Sequence, residues 1–427
     1  MKQRDEASAA CKWVTSWTAS AQGPYPAGSP LAQPDLSFAF PAPDTGARDQ
    51  SFRLILRPDL WGPQARLRLC NAFGLQPVAF DGVHVGLQLG GAALVAGSNQ
   101  RVTFGGRESV TVPPGGSVWS DPVALPFACE PDAAALAGRK LAVSLHVVGE
   151  SGPMTWHAKA LQTSYLTPPN AGSQGGREDE LAFPFTSTSW YFLDAVDMLM
   201  PRDTRLIVAL GDSITDGSGS TLNGDDRWPD ILSRRLHAAF GQRVGIVNAG
   251  IGSNQVAGPA DYSPHSPFRG GPKAVARIER DVLSLSGVAT VIWLEGINDF
   301  SGNGNASMEA VAAGFAEGVQ RLRAGIPGVR VIGATLVPAL GSTAAAHGHE
   351  EQDRKRRALN GFIRTAGLFD AVLDFEAATL DAATGGMKAE FVPDGTVGGP
   401  GDGLHPNRAG YLAMASAIDP GLLLPLR

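Results

Sequence analysis

Cysteine is scarce in this chain: Cys11, Cys70 and Cys129 are the three in 427 residues. An odd count this low builds no disulfide framework, and no Cys-x-x-Cys occurs. The three thiols read as buried or indifferent side chains. Long apolar runs are missing too. No stretch of about 18 apolar residues exists, so none of the sequence reads as a membrane-spanning helix. Positive charge is not in excess. Lys and Arg number 35 against 41 Asp and Glu, for a net charge of −6. That balance argues against nucleic acid or an anionic membrane surface as partner. The opening residues, Met1 to Cys11, carry charge but no apolar core, so they do not read as a secretory signal. A cytoplasmic protein and a mature form with its signal removed both fit, and the compartment stays open. Neither an internal repeat nor a low-complexity tract is found.

What is present is ordinary globular material, with 43% hydrophobic and 18% charged residues. The length suits more than one domain, and the two halves are patterned differently. In the first 200 residues, apolar side chains recur at period two. Phe52, Leu54 and Leu56 alternate with Ser51, Arg53 and Arg57, with Ile55 as the exception, and Leu67 and Leu69 alternate with Arg66 and Arg68. Short runs of this kind, separated by Gly, Pro, Asn and Asp, predict a β-sandwich of jelly-roll type. The segment 174–180 reads as an exposed polar loop.

After about residue 200 the pattern changes. Apolar runs at 205–210, 244–247, 288–294, 329–334 and 371–374 predict five strands. Between them, Met308, Val311, Phe315, Val319 and Leu322 are spaced 3, 4, 4 and 3, which marks one face of a helix. Leu359, Phe362, Ile363 and Ala366 mark another. Strands alternating with helices imply βαβ units and a parallel sheet, whose working residues lie in loops at the carboxyl ends of the strands. The predicted organisation is a β module over 1–200 and an α/β domain over 201–427.

Three such loops carry candidate chemistry. Ser213 stands just past the first of these strands, in Gly211-Asp212-Ser213-Ile214-Thr215-Asp216-Gly217. A hydroxyl at the rim of a sheet, beside the amides of a helix start, suits a nucleophile. The alternative is a serine that caps a helix. Asp402 and His405 are three residues apart, before a C-terminal helical pattern at Tyr411, Met414, Ala415 and Ile418. A carboxylate so placed can fix the imidazole tautomer, or the pair can be a capping turn. Asn298 follows the strand at 288–294. It can aim its amide at an oxyanion or bond its own backbone in a turn. His347 and His349 lie in Ala- and Gly-rich sequence and read as a surface loop, whereas His265 lies between prolines and could line a pocket.

Together these blocks resemble the GDSL, or SGNH, hydrolases. Gly211-Asp212-Ser213 with Ile214-Thr215-Asp216-Gly217 resembles the family's first motif. Asn248-Ala249-Gly250-Ile251-Gly252-Ser253-Asn254 resembles its second, Gly296-Ile297-Asn298-Asp299 its third, and Asp402-Gly403-Leu404-His405-Pro406-Asn407 its last. The likeness covers about 205–427. It extends to one branch of the family through Arg227-Trp228-Pro229, Arg277-Ile278-Glu279-Arg280-Asp281 and Gly333-Ala334-Thr335-Leu336-Val337-Pro338. The first half resembles that branch's N-terminal β module through Trp13-Val14-Thr15-Ser16-Trp17 and Arg68-Leu69-Cys70-Asn71-Ala72-Phe73-Gly74.

The resemblance implies a flavodoxin-like three-layer α/β/α domain of five parallel strands and a serine hydrolase acting on carboxylic esters without metal or cofactor. It implies Ser213 as nucleophile, His405 as base and Asp402 as its acid partner, with Asp299 holding local structure. It implies oxyanion donors at the Ser213 N–H, the Asn298 amide and a backbone N–H of the second block. By position that third donor falls on Ser253, where the family has glycine, with Gly252 as the alternative. The expected partner is a small-molecule or glycan-linked ester. Hydrolysis of acetyl esters on carbohydrate, lipid-like esters, and acyl transfer to another alcohol all use the same residues. The β module is read either as glycan-binding or as a structural wall. Exposed Trp17, Trp61 or Trp119 would favour glycan, and buried tryptophans the wall.

Overall fold

The computed structural model describes residues 10–128 and 135–424. Cys129 and nearly all of the opening stretch read for a leader lie outside those residues. The chain divides into two compact units. One is Met1–Thr204 together with Pro264–Pro267; the other is Arg205–Ser263 together with Phe268–Arg427.

The first unit is built of antiparallel strands. One sheet pairs Cys11–Thr18 with Leu193–Pro201, which pairs in turn with Gln64–Cys70. A larger one centres on Arg48–Leu56, Leu141–Glu150 and Val78–Gly90. Here the period-two pattern hides a second buried face. Ser51 and Arg53, on the polar side of the alternation, are both fully buried. The Arg53 guanidinium donates to Ser144 Oγ at 3.0 Å and to the carbonyl of Ala92 at 2.6 Å. It also reaches the carbonyls of Arg177 and Asp179 and stacks over Phe183. The polar stretch 174–180, expected as an exposed loop, is therefore tied down by a core arginine.

The other sheet meets the same need differently. Arg66 binds Asp197 at 2.7 Å and Arg68 binds Asp194 at 2.6 Å. Trp119 lies over both guanidinium groups, and Trp13 lies over Arg66. Such pairing and stacking offset the desolvation of the charge. Trp17 and Trp61 are buried in the core, and Trp119 is half-buried. Trp17 and Trp61 thus serve packing, and Trp119 packs on two arginines. Of the thiols, Cys70 is buried and Cys11 partly so, and neither is in a disulfide.

The second unit holds one five-stranded sheet. Its order is Val244–Gly250, Arg205–Gly211, Val288–Leu294, Arg330–Ala334, Ala371–Leu373. All neighbours are parallel. The five apolar runs of the sequence form these strands. In chain order the arrangement is 2-1-3-4-5, the doubly wound pattern with its switch point beside the first strand. Residues 206–211 of that strand are all buried, as a parallel sheet covered on both faces requires.

The helix Met308–Gly325 buries Val311, Phe315, Val319 and Leu322, four of the five residues of the predicted stripe. Trp293 packs edge-on against Phe315 at 4.9 Å. The helix Glu350–Thr365 buries Leu359 and Ile363, while Ala366 falls at its exposed C-cap. Among the described residues, no helix is long and apolar enough to cross a membrane.

Candidate active site

Register decides where the site forms. Gly211 lies opposite Gly250 on one side and Leu294 on the other. The loops after these three residues carry Ser213, Ser253 and Asn298, so all three emerge at one edge of the sheet. Gly211 is required there. A Cβ at that position would lie 2.3 Å from the carbonyl oxygen of Leu294, closer than side chains tolerate.

Beyond Gly211, Asp212 caps the short helix Ser213–Asp216 by accepting from the Ile214 N–H at 3.0 Å. The capping role considered for Ser213 thus falls to its neighbour. Ser213 is the first helical residue, and its hydroxyl donates to His405 Nε2 at 2.9 Å. His405 Nδ1–H in turn donates to Asp402 Oδ2 at 2.6 Å.

The other Asp402 oxygen accepts the backbone N–H groups of Leu404 and His405, each at 2.9 Å. Burial pushes the Asp402 carboxyl up, but the hydrogen bond and charge of His405 outweigh it. With the two backbone donors they hold the group well below the usual carboxylate range. The loop 342–343 supports the turn from outside: Ser342 Oγ and the Thr343 N–H donate to the Asp402 carbonyl at 2.7 and 2.9 Å. Asn407 caps the following helix, Arg408–Ser416, so the capping function is again separate from the Asp402–His405 pair.

Asn298 is buried, and its Nδ2 donates to the backbone carbonyl of Asn254 at 3.0 Å. Ser253 has φ +67°, the left-handed conformation in which a glycine is free of strain. The Gly252 N–H is committed within the protein, donating to the buried Asp216 Oδ2 at 2.8 Å. Asp216 is a contributor that sequence patterning did not single out. Asp299 accepts the N–H groups of Val256 and Ala257 at 2.9 and 2.8 Å and so pins the second loop to the third. Burial pushes its carboxyl up to about 6, against those donors.

His347 lies in a loop, as the sequence predicts. It is half-buried and electrostatically coupled to the pair. Burial first, then the positive charges of His405 and Arg269, push it down to about 4, while Asp402 pulls upward. No alternation or spacing marks such a residue, because its neighbours are remote in sequence.

Beneath the loops lies Glu295, fully buried, with Oε2 accepting from Trp293 Nε1 at 2.7 Å. Burial pushes this carboxyl up to about 7, although the nearby Arg277 opposes the shift. A folded-state value above the ordinary one means that the folded protein holds the proton more tightly. Its stabilising contribution is complete below the ordinary carboxylate range and is lost as pH rises through about 7. Glu295→Gln cannot titrate. Its melting temperature relative to wild type is therefore expected to become more positive between pH 5 and pH 8. A difference that stays constant across this range in calorimetry would refute the raised carboxyl.

Among the described residues, no group of three or more His, Cys, Asp or Glu side chains is placed to hold a metal ion.

Residues 209–413 match the model of the GDSL-like lipase/acylhydrolase family. No curated protein matches the chain by sequence. Solved structures similar to it include a putative arylesterase from Agrobacterium tumefaciens, at 17% identity and TM-score 0.39, covering 50% of this chain and 96% of that one. The aryl esterase of M. smegmatis is similar at 15% identity and TM-score 0.38, over 50% and 96% of the two chains. A GDSL-like lipase from Bacteroides thetaiotaomicron is similar at 18% identity and TM-score 0.36, over 51% and 87%. By the match over residues 209–413, the second half of the chain belongs to the GDSL-like lipase/acylhydrolase family, and the protein is a carboxylic ester hydrolase.

Proposed function

We propose that the protein cleaves carboxylic esters through an acyl-Ser213 intermediate. The observation that carries this reading is the unbroken hydrogen-bonded line from Ser213 Oγ through His405 to Asp402. His405 Nε2 takes the hydroxyl proton as Ser213 Oγ attacks the ester carbonyl carbon. The imidazolium so formed stays paired to the Asp402 carboxylate. When the tetrahedral intermediate collapses, His405 returns that proton to the leaving alkoxide and the alcohol departs. Water then repeats the sequence on the acyl-serine, releasing the carboxylic acid and restoring Ser213.

The oxyanion is held by the N–H groups of Ser213 and Ser253 and by the Asn298 amide. Ser253 is preferred to Gly252 because the Gly252 N–H already serves Asp216. The left-handed backbone at Ser253 supports the same choice, since this is the conformation that the family's glycine adopts freely. Asn298→Ala is expected to lower kcat by about 10²–10³-fold with little change in KM, because the donor meets charge that exists only in the transition state. Steady-state kinetics that leave kcat near normal would remove Asn298 from this role.

The β-rich first unit is read as a jelly-roll-like module with a structural rather than a glycan-binding task. The support is that its tryptophans are turned into packing. The test of the whole reading is to treat the full chain with a fluorophosphonate and then assay p-nitrophenyl esters of increasing acyl length. Inactivation with the adduct mapped to Ser213 is expected. Hydrolysis that persists after complete labelling of Ser213 would overturn it.

A further inference from the structure

Arg277 is fully enclosed, with a side-chain exposure of 0%. A guanidinium with no exposed surface is costly unless its donors are matched. Here four contacts match them. Nε donates to Asn254 Oδ1 at 2.7 Å, Nη1 to the Ala249 carbonyl at 2.8 Å and to Asp281 Oδ2 at 3.0 Å, and Nη2 to the Gly211 carbonyl at 2.8 Å. Asp281 supplies the counter-charge, and Arg280 also binds it, at 2.6 Å.

The identity of the acceptors is what matters. Gly211 and Ala249 lie at the carboxyl ends of the first and second strands, just before Ser213 and the second loop. Asn254 directly follows Ser253, and its backbone carbonyl accepts the Asn298 amide at 3.0 Å. Its own Nδ2 holds the carbonyls of Gly270 and Pro272 at 2.6 and 2.8 Å. One planar fork therefore spans the two strand ends and, through Asn254, reaches the third loop.

We propose that Arg277 is a positioning residue that sets the mutual spacing of the three oxyanion donors at Ser213, Ser253 and Asn298. The proposal rests on the acyl-Ser213 reading above. A rigid fork with several donors at fixed angles can hold two backbone carbonyls and a side-chain amide in one frame, whereas an ammonium acts as a single point. Donors act on the oxyanion only when pre-set, and a shift of about 1 Å can cost about 10²-fold in rate.

The test uses the full chain, p-nitrophenyl acetate, and a trifluoromethyl ketone that forms a tetrahedral adduct on the serine. Arg277→Lys, shown by thermal melting to be folded, is expected to lose about 30-fold or more in kcat while KM stays within about threefold. Its affinity for the ketone is expected to weaken in step with kcat/KM, a change that lower stability alone would not produce. A folded Arg277→Lys with kcat and ketone affinity within about threefold of wild type would overturn the proposal.

If Arg277→Lys does not fold, Asn254→Ala removes the branch of the fork that leads to Asn298, together with the bonds to the Gly270 and Pro272 carbonyls. It is expected to lose about tenfold in kcat at unchanged KM, and a folded Asn254→Ala with normal kcat would overturn the proposal. Failure of the underlying reading looks different: Ser213→Ala would stay active, or the ketone would leave the wild type uninhibited.

Discussion

Ser213→Ala should lower kcat for p-nitrophenyl acetate by about 10⁴–10⁶-fold, with KM little changed. The size of the loss follows from the geometry. On the acyl-Ser213 reading the hydroxyl oxygen is the nucleophile, and His405 Nε2 lies 2.9 Å from it. Without it, the imidazole has only water to activate, and the oxyanion donors act on a much slower reaction. Folding should be little affected, because one hydroxyl at the start of a helix is removed and the cap on Asp212 remains. Release of p-nitrophenol by wild type and variant, with matched thermal melts, is the measurement. Activity that survives in the variant would place the nucleophile elsewhere.

Asp402→Asn should cost about 10⁴-fold in kcat, again with the fold intact. The carboxylate has two separate tasks. Oδ1 accepts two backbone N–H groups, and Oδ2 accepts from His405 Nδ1 at 2.6 Å. An asparagine carbonyl can take over the first task, and its NH₂ then faces Nδ1. The imidazole must answer with an acceptor there, which moves its proton to Nε2. That tautomer cannot receive the Ser213 proton. Burial alone would push Asp402 up, and His405 outweighs it; the carboxylate therefore stays ionised through the neutral range, and its titration should not shape the rate near neutral pH. A kcat for Asp402→Asn within about tenfold of wild type would show that tautomer control by Asp402 is not needed.

Much of this site was legible in the sequence, for a physical reason. Parallel strands announce themselves as short apolar runs because both faces are covered, so the positions of Ser213 and Asn298 just past two such runs already placed them at a sheet edge. The Asp402–His405 pair was legible because its two members lie within one turn. The first half was harder to read. Its alternation was real, yet Ser51 and Arg53 on the polar side are buried, since Arg53 finds acceptors in segments about 39 to 126 residues away. Periodicity reports which side chains share a face; it does not report whether a second layer covers that face.

The sequence by itself determined the alternation of five strands with helices, the three loops that carry chemistry, and the order Ser213, Asp402, His405. The strands and helices follow from local periodicity; the loops and the order Ser213, Asp402, His405 were singled out by the resemblance of their motifs to the GDSL hydrolases. Tertiary structure alone decided the rest. It bonded His405 to a serine 192 residues away, gave the Gly252 N–H to Asp216, and set Ser253 in a left-handed turn. It also enclosed Arg277 and bonded it to the carbonyl of a glycine 66 positions away. Each of these depends on directional bonds between groups remote in sequence, and such bonds leave no period and no spacing for a one-dimensional pattern to record.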